Sequence, residues 1–392
     1  MNLLTQKIVE HIKRDGPITF ETFMDLALYD PEYGYYASEN ARIGRSGDFY
    51  TSSHLHPAFG AMIGKQIVEM WEVMGRPRDF TIVEMGAGEG YLCKDMLEFL
   101  QRLSSDGQGS GQYYDDAEVR TRHEFSEAMQ YVIVERNALQ QKRQQEVLRS
   151  HLHDIRWVTD AQSAGSINGC VCSNELLDAF PVHLVRMENE LREICIDHDG
   201  ARFREISCPL STDAIAGYFN HMGITLGSGY TTEVNLRVRD WLSDVAAIIN
   251  TGFILTVDYG YPVAEYYSEE RNRGTLMCFF RHQLNEDPYS NIGEQDITAH
   301  VNFSSLKQWG EEMGLKTVGY CSQGTFLLAM GIDREISRLA ETSKDYLFEL
   351  SRIKKLILPQ GLGESHKIMV QYKGAAVPLL KGFSIRNQMR LL

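Results

Sequence analysis

The sequence predicts an α/β protein: a doubly wound, mostly parallel sheet, preceded by a helical N-terminal region and interrupted by an inserted β-rich segment. Three observations lead there. From Phe80 onward, short apolar runs alternate with helical patterns, which implies parallel strands joined by crossover helices. A glycine-rich turn, Gly86-Ala87-Gly88-Glu89-Gly90, follows the first of those runs and opens a helix. Residues 182–206 instead alternate apolar and charged side chains around Glu188-Asn189 and His198-Asp199-Gly200, as antiparallel hairpins do.

The elements follow in order. Leu4, Ile8 and Ile12 stand four apart, so the first fifteen residues form an amphipathic helix. Asp30 to Tyr36 is a turn followed by aromatics, and 56–75 is a helix with Pro57 early and Gly75 past its end. Strands are expected over 80–85, 131–134, 155–158, 170–173 and 253–257, with helices over 89–100 and 138–149. Residues 101–116, rich in Ser, Gly, Gln and Asp, read as a mobile surface loop. Near the end, 303–313 is helical, while 326–329 and 368–372 read as strands of an antiparallel edge.

Composition narrows the function. The 392 residues carry 39 Lys+Arg against 53 Asp+Glu, a net charge of −14. That balance argues against nucleic-acid binding, where clustered positive charge supplies most of the affinity, and mildly favours a basic protein partner. No apolar run approaches the ~18 residues of a membrane span. The seven cysteines contain no C-x-x-C pair and do not read as a disulfide framework. Cys170 and Cys172 read as buried thiols on one strand face, and reduced cysteines point to the cytoplasm. The N-terminal helix, with Glu10 and Asp15, does not resemble a targeting peptide.

The glycine turn is the sharpest signal. Gly86, Gly88 and Gly90 permit positive φ and close approach of a ligand to the backbone. Their spacing is G-x-G-x-G rather than the dinucleotide G-x-G-x-x-G, and Glu84 and Glu89 would repel a pyrophosphate. An acidic strand end suits a cationic ligand such as the ammonium and sulfonium of S-adenosylmethionine. Glu135, directly after the second strand, is placed to accept hydrogen bonds from both ribose hydroxyls.

With these features in place, the chain resembles the MidA-type class I methyltransferases. The resemblance rests on Gly47-Asp48-Phe49-Tyr50-Thr51-Ser52, on 84–90, on Asn174-Glu175-Leu176-Leu177-Asp178-Ala179-Phe180-Pro181 and on Asp258-Tyr259-Gly260. Arg273-Gly274-Thr275-Leu276, the run 296–303 and Gln323-Gly324-Thr325-Phe326-Leu327 extend it, so that it spans about residues 18 to 370. It implies a seven-strand, Rossmann-like methyltransferase sheet and an S-adenosylmethionine-dependent enzyme. The mitochondrial member of the family methylates an arginine on a respiratory complex subunit. A methyl-acceptor protein, with such a subunit as one candidate, or a small molecule is therefore the expected partner. Its presequence has no counterpart here, which points to a cytosolic relative.

Several residues take roles from this combination. Asn174 lies at the carboxyl edge beside the cofactor, and Glu175 suits a bidentate arginine, fork to fork. Asn174-Glu175-Leu176-Leu177 also resembles the start of the glutamate loop of symmetrically dimethylating arginine methyltransferases, with Asp178 the nearest second carboxylate. The resemblance makes Gly47, Asp48, Thr51 and Ser52 a loop closing over the cofactor, Asp48 taking its ammonium. Asp258 and Tyr259 end the fifth strand and line the acceptor pocket. No metal is expected, since His54, His56, His151 and His153 have no partners at ligand spacing. The expected domains are a helical region over 1–76, the methyltransferase domain over 77–180 and 236–376, and an acceptor-side insertion over 181–235. Two rivals remain to methylation of a protein arginine by direct displacement: a small-molecule O- or N-methyltransferase, and an assembly factor that binds the cofactor without catalysis.

Overall fold

The computed structural model describes residues 2–37, 51–105, 115–281 and 283–392. Its contacts divide the chain into two units, 50–176 with 243–259 and 307–392, and 1–49 with 177–242 and 260–306. The expected domains followed motif and composition. Contacts group residues differently: 50–76 falls with the sheet, and 260–306 with the N-terminal helices and the insertion.

The first unit is built on β1 (Phe80–Met85), β2 (Met129–Val134), β3 (Ile155–Val158), β4 (Ile167–Asn174), β5 (Ile249–Tyr261), β6 (Lys316–Ser322) and β7 (His366–Lys373). They lie side by side in the order β3-β2-β1-β4-β5-β7-β6. β1 to β5 pair in parallel, and β7 runs antiparallel to both its neighbours. The strands read as unbroken apolar runs because helices cover the sheet. Phe80, Ile82, Tyr131, Ile133, Cys170, Cys172, Phe253 and Leu255 join one core with Phe59, Ile63 and Ile67 of helix Ala58–Val73 and with Leu92 and Met96 of helix Tyr91–Ser105. Truncating one such fully buried phenylalanine to alanine costs about 3–5 kcal/mol. The chain winds outward from β1 through β2 and β3, then returns beside β1 at β4. Ligands in open α/β sheets bind where the order reverses in this way, at the carboxyl ends of those two strands.

Two expectations for this unit are corrected. Residues 326–329 belong to the helix Gln323–Ala329 and are not a strand; a four-residue apolar run has no period that separates the two states. The edge strand is β6 instead, whose glycine and polar residues hid Val318, Tyr320 and Cys321, all buried. A helix at Asp116–Ala128 was also missed, since among its residues only Arg122 and Phe125 are buried. Its sequence signal was the capping box Asp115-x-x-Glu118, formed in the structure. Of the expected surface loop, 101–105 continues the helix Tyr91–Ser105, Asp116 opens the next helix, and 106–114 lies outside the described residues.

The second unit joins the helices Leu3–Asp15 and Phe20–Tyr29 to an antiparallel sheet. That sheet pairs Ile18–Thr19, Leu191–His198, His183–Met187 and Thr231–Val234 in order, with Phe203–Cys208 beside Leu191–His198. The hairpins predicted over 182–206 are present. Leu4, Ile8 and Ile12 are buried with Phe20, Phe23, Leu184, Ile194 and Ile196. Glu233, buried in this unit, accepts from the backbone N–H groups of Thr275 at 2.8 Å and Leu276 at 3.1 Å. A Cβ on Gly274 would lie 2.1 Å from its Oε1, so the Arg273-Gly274-Thr275-Leu276 motif is a cradle for one buried carboxylate.

Candidate active site

The carboxyl edge of the sheet carries most of the residues singled out by the sequence. After β1 the backbone turns through Gly86, Gly88 and Gly90 at φ 71°, 53° and 88°, a region that favours glycine. A Cβ on Gly86 would meet Leu176 Cδ1 at 2.7 Å, so the turn also needs the missing side chain for space. The Gly88 carbonyl accepts from the side-chain amides of Gln140 at 2.6 Å and Gln144 at 2.9 Å.

Glu135 follows β2 as expected. Its Oε1 accepts from the Asn137 backbone N–H at 2.8 Å and its Oε2 from Gln144 Nε2 at 3.2 Å. Burial pushes its carboxyl above the usual range. Gln144 therefore ties the glycine turn to the acidic partner, and its own Oε1 accepts from Trp157 Nε1 at 3.0 Å. Sequence reading missed this residue: it stands in a polar helix, Ala138–Val147, where nothing marks one glutamine as wholly buried.

Glu84 sits lower, within the sheet. It is 2% exposed, and Tyr131 donates its hydroxyl to Oε2 at 2.7 Å. Burial pushes its carboxyl up to about 7, so at neutral pH it is shared between neutral and charged forms. A neighbouring cation would draw it to the charged form.

After β4 the chain reaches Glu175 at φ 51°, a left-handed conformation that costs a residue with a side chain about 1–3 kcal/mol. The Glu175 backbone N–H donates to the Val257 carbonyl of β5 at 2.8 Å. Its Oε1 accepts from the Ser52 backbone N–H at 3.0 Å and from Asn174 Nδ2 at 3.3 Å, with His366 Nε2 at 3.5 Å. Among the described residues, Oε2 makes no hydrogen bond. Ser52 donates its hydroxyl to Gln323 Oε1 at 2.8 Å, and Thr51 Oγ1 lies 2.6 Å from His54 Nδ1. Both hydroxyls are thus engaged within the protein.

Asp258 is fully buried and, with Tyr259, lies inside β5, which runs on to Tyr261 rather than ending here; its Oδ1 accepts from the Tyr259 backbone N–H at 2.9 Å. The Tyr259 ring is 5.5 Å from the His366 ring. Asp178 falls in the other unit, buried in the same surroundings as Asp296, and the two carboxylates help hold the Tyr29 and Tyr36 hydroxyls protonated, after burial itself. Gly47 and Asp48 lie outside the described residues. A cavity of about 380 Å³, lined by Leu97, Met129, His153 and Ile155, opens at the opposite, amino ends of β2 and β3.

Ser173 Oγ, Asn174 Oδ1 and His366 Nε2 are buried without a hydrogen-bond partner. Buried polar atoms are rarely left unpaired, so this edge is built for a polar ligand. With a glycine turn on one side and acidic side chains on the other, it fits a nucleoside carrying an amino-acid tail.

The comparisons agree. A family model described as "Putative S-adenosyl-L-methionine-dependent methyltransferase" matches residues 62–321. The mitochondrial protein arginine methyltransferase NDUFAF7 of Rattus norvegicus is 27% identical over 378 residues, covering 92% of this chain and 82% of that protein. The Drosophila melanogaster homologue is 25% identical, covering 97% and 87%. The crystal structure of a COG1565 superfamily member from Burkholderia thailandensis, bound to S-adenosyl-homocysteine, superposes with a TM-score of 0.86 at 28% identity, over 99% of this chain and 96% of that one. The glycine turn, the strand order and these matches place the chain in the COG1565, or MidA, family of class I methyltransferases: it is an enzyme whose cofactor is S-adenosylmethionine.

Proposed function

We propose that this methyltransferase modifies a guanidinium nitrogen of a protein arginine. Glu175 carries the reading. Its strained backbone and its anchored Oε1 hold the carboxylate at the carboxyl edge of β4, with Oε2 left to face an acceptor. A carboxylate so held pairs with a guanidinium through a charge-assisted hydrogen bond and fixes the nitrogen in line. The net charge of −14 favours a basic protein segment, and the curated relatives bear the name protein arginine methyltransferase.

In this reading Gly86, Gly88 and Gly90 form the floor of the cofactor site. Glu135 receives the ribose hydroxyls, Glu84 balances the positive end, and Asn174 borders the reacting centre. Thr51 and Ser52, expected in a closing loop, are the N-cap and first residue of the helix Ser52–Leu55, and Ser52 borders the site through its backbone N–H to Glu175. When bound, the cofactor supplies a methyl group on a cationic sulfur. The chain's own residues orient the acceptor, exclude water and deal with its proton. Asp258 and Tyr259 line the acceptor side. The free, mostly buried cysteines suit a reducing compartment such as the cytoplasm.

The test incubates the purified protein with methyl-labelled cofactor and a lysate of cells that lack it. Label in one protein band, released as methylarginine on hydrolysis, is the expected result. Label in small molecules would establish the small-molecule rival. No label, with cofactor still bound, would leave a non-catalytic assembly factor.

A further inference from the structure

We infer that His366 is a further catalytic residue, the base that removes the proton from the acceptor nitrogen; this rests on the arginine reading above. Sequence analysis gave no reason to single it out. It opens β7, the antiparallel strand, and lies directly opposite Tyr259 of β5. The residue is 5% exposed, its Nε2 has no hydrogen-bond partner, and that atom lies 3.5 Å from the same Glu175 Oε1 that Ser52 and Asn174 hold. The other ring nitrogen, Nδ1, is 3.1 Å from Ser365 Oγ. With the ring proton on Nδ1 and donated to that hydroxyl, Nε2 presents a lone pair at the carboxylate that receives the guanidinium.

The chemistry requires such a group. A guanidinium stays protonated at any physiological pH, so its nitrogen must lose a proton as it gains a methyl group. The new nitrogen–carbon bond uses the nitrogen's electron pair. The carbon–sulfur bond breaks with its pair remaining on sulfur. One N–H bond then breaks, its electrons stay on nitrogen, and the proton goes to His366 Nε2. The imidazolium formed stands beside the Glu175 carboxylate, which stabilises it, and the proton later passes to water. Glu175 is less suited to this step, because its Oε1 is already occupied by donors and its charge is needed to hold the product cation.

Among the described residues, the ionisable groups around the ring are few. Glu175 faces it from the turn after β4 and Tyr259 from β5. On its own segment, Glu364 and Lys367 pair with each other at 3.2 Å, and Asp258 stands opposite Lys367 in register.

The experiment measures label transfer into the lysate protein band as a function of pH, for the wild type and for His366→Gln. The variant should lose at least about a hundredfold in rate, the usual scale for a positioned base, and the acid limb of the wild-type profile should vanish. Calorimetric affinity for S-adenosyl-homocysteine and the unfolding midpoint should stay unchanged, which a structural role would not allow. A second readout needs no turnover: nitrogen-15 histidine spectra, assigned by the signal lost in His366→Gln, should show the proton on Nδ1 and a bare Nε2. An unchanged rate and pH profile in the variant, or a proton held on Nε2 toward Glu175, would overturn the inference while leaving the arginine reading intact. No methylated band with the wild type would overturn both.

Discussion

Two stretches of the same sheet edge are built on opposite terms. Around Gly88 and Glu135 every acceptor is answered: Gln140, Gln144 and Asn137 supply the donors, and Trp157 closes the set on Gln144. Around Glu175 and His366 the backbone is strained, Nε2 is orphaned and neighbouring Ser173 Oγ and Asn174 Oδ1 lack partners. A satisfied network holds one shape, which suits a site that only binds. Strain and unmet hydrogen-bond capacity collect where a ligand or a reaction completes the set. In the reading proposed above, the difference separates a holding half of the edge from a reacting half.

The sharpest way to break that division is Gly88→Val. A β-branched side chain at φ 53° both strains the turn and fills the ligand's approach, so affinity for S-adenosyl-homocysteine should fall more than about a hundredfold by calorimetry. Circular dichroism should still report the folded sheet. Glu175→Gln acts on the other half. Losing a hydrogen bond to a charged group costs about 1.5–3 kcal/mol, a fall of roughly ten- to a hundredfold in turnover at saturating cofactor. Cofactor affinity should hardly move. If it fell in parallel, Glu175 would belong to the holding half.

Gln144→Ala sharpens the comparison from the holding side. It strips a donor from Glu135 and one from Gly88, and leaves Trp157 Nε1 unpaired, so stability should drop by about 1–3 kcal/mol. Cofactor affinity should weaken about tenfold while the rate at saturation is kept. Weakened affinity with unchanged unfolding would show that the glutamine meets the ligand directly.

The smallest effect is one of pH. Burial raises Glu84 to about 7 from an unfolded value near 4.5, so the folded state holds its proton more tightly. Its stabilisation is complete below about pH 4.5 and is lost as pH rises through about 7. Comparing unfolding midpoints of wild type and Glu84→Gln from pH 4.5 to 8 isolates it: the variant should lack that decline. Bound S-adenosylmethionine should also flatten it, by favouring the ionised carboxylate.

The features read correctly from sequence are local ones. β1, its glycine turn and the following helix need only a run of apolar residues, three glycines and the start of a helical period, all within about twenty residues. The edge strand β6 failed the same test because Gly319 and its polar neighbours break the apolar pattern, although β7 still supplies its hydrogen bonds. The run at 326–329 failed for the converse reason, being apolar but too short to show a period.

By itself the sequence determined the α/β class, the glycine turn with Glu135 behind it, the acidic surface and the family motifs, because each is written in neighbouring residues or in composition. Only the tertiary structure decided which of these side chains meet. Glu175, Ser52 and His366 stand up to 314 positions apart, 366 − 52, yet converge on one carboxylate oxygen. Gln144 joins two motifs that sequence could only name separately. Glu84 looks like a fixed negative charge in the motif, but burial beside Tyr131 makes it one that pH can remove. The physical reason is common to all three. Burial and hydrogen-bond partnership arise from strands brought side by side across long loops, and no periodicity along the chain records which distant partner completes a site.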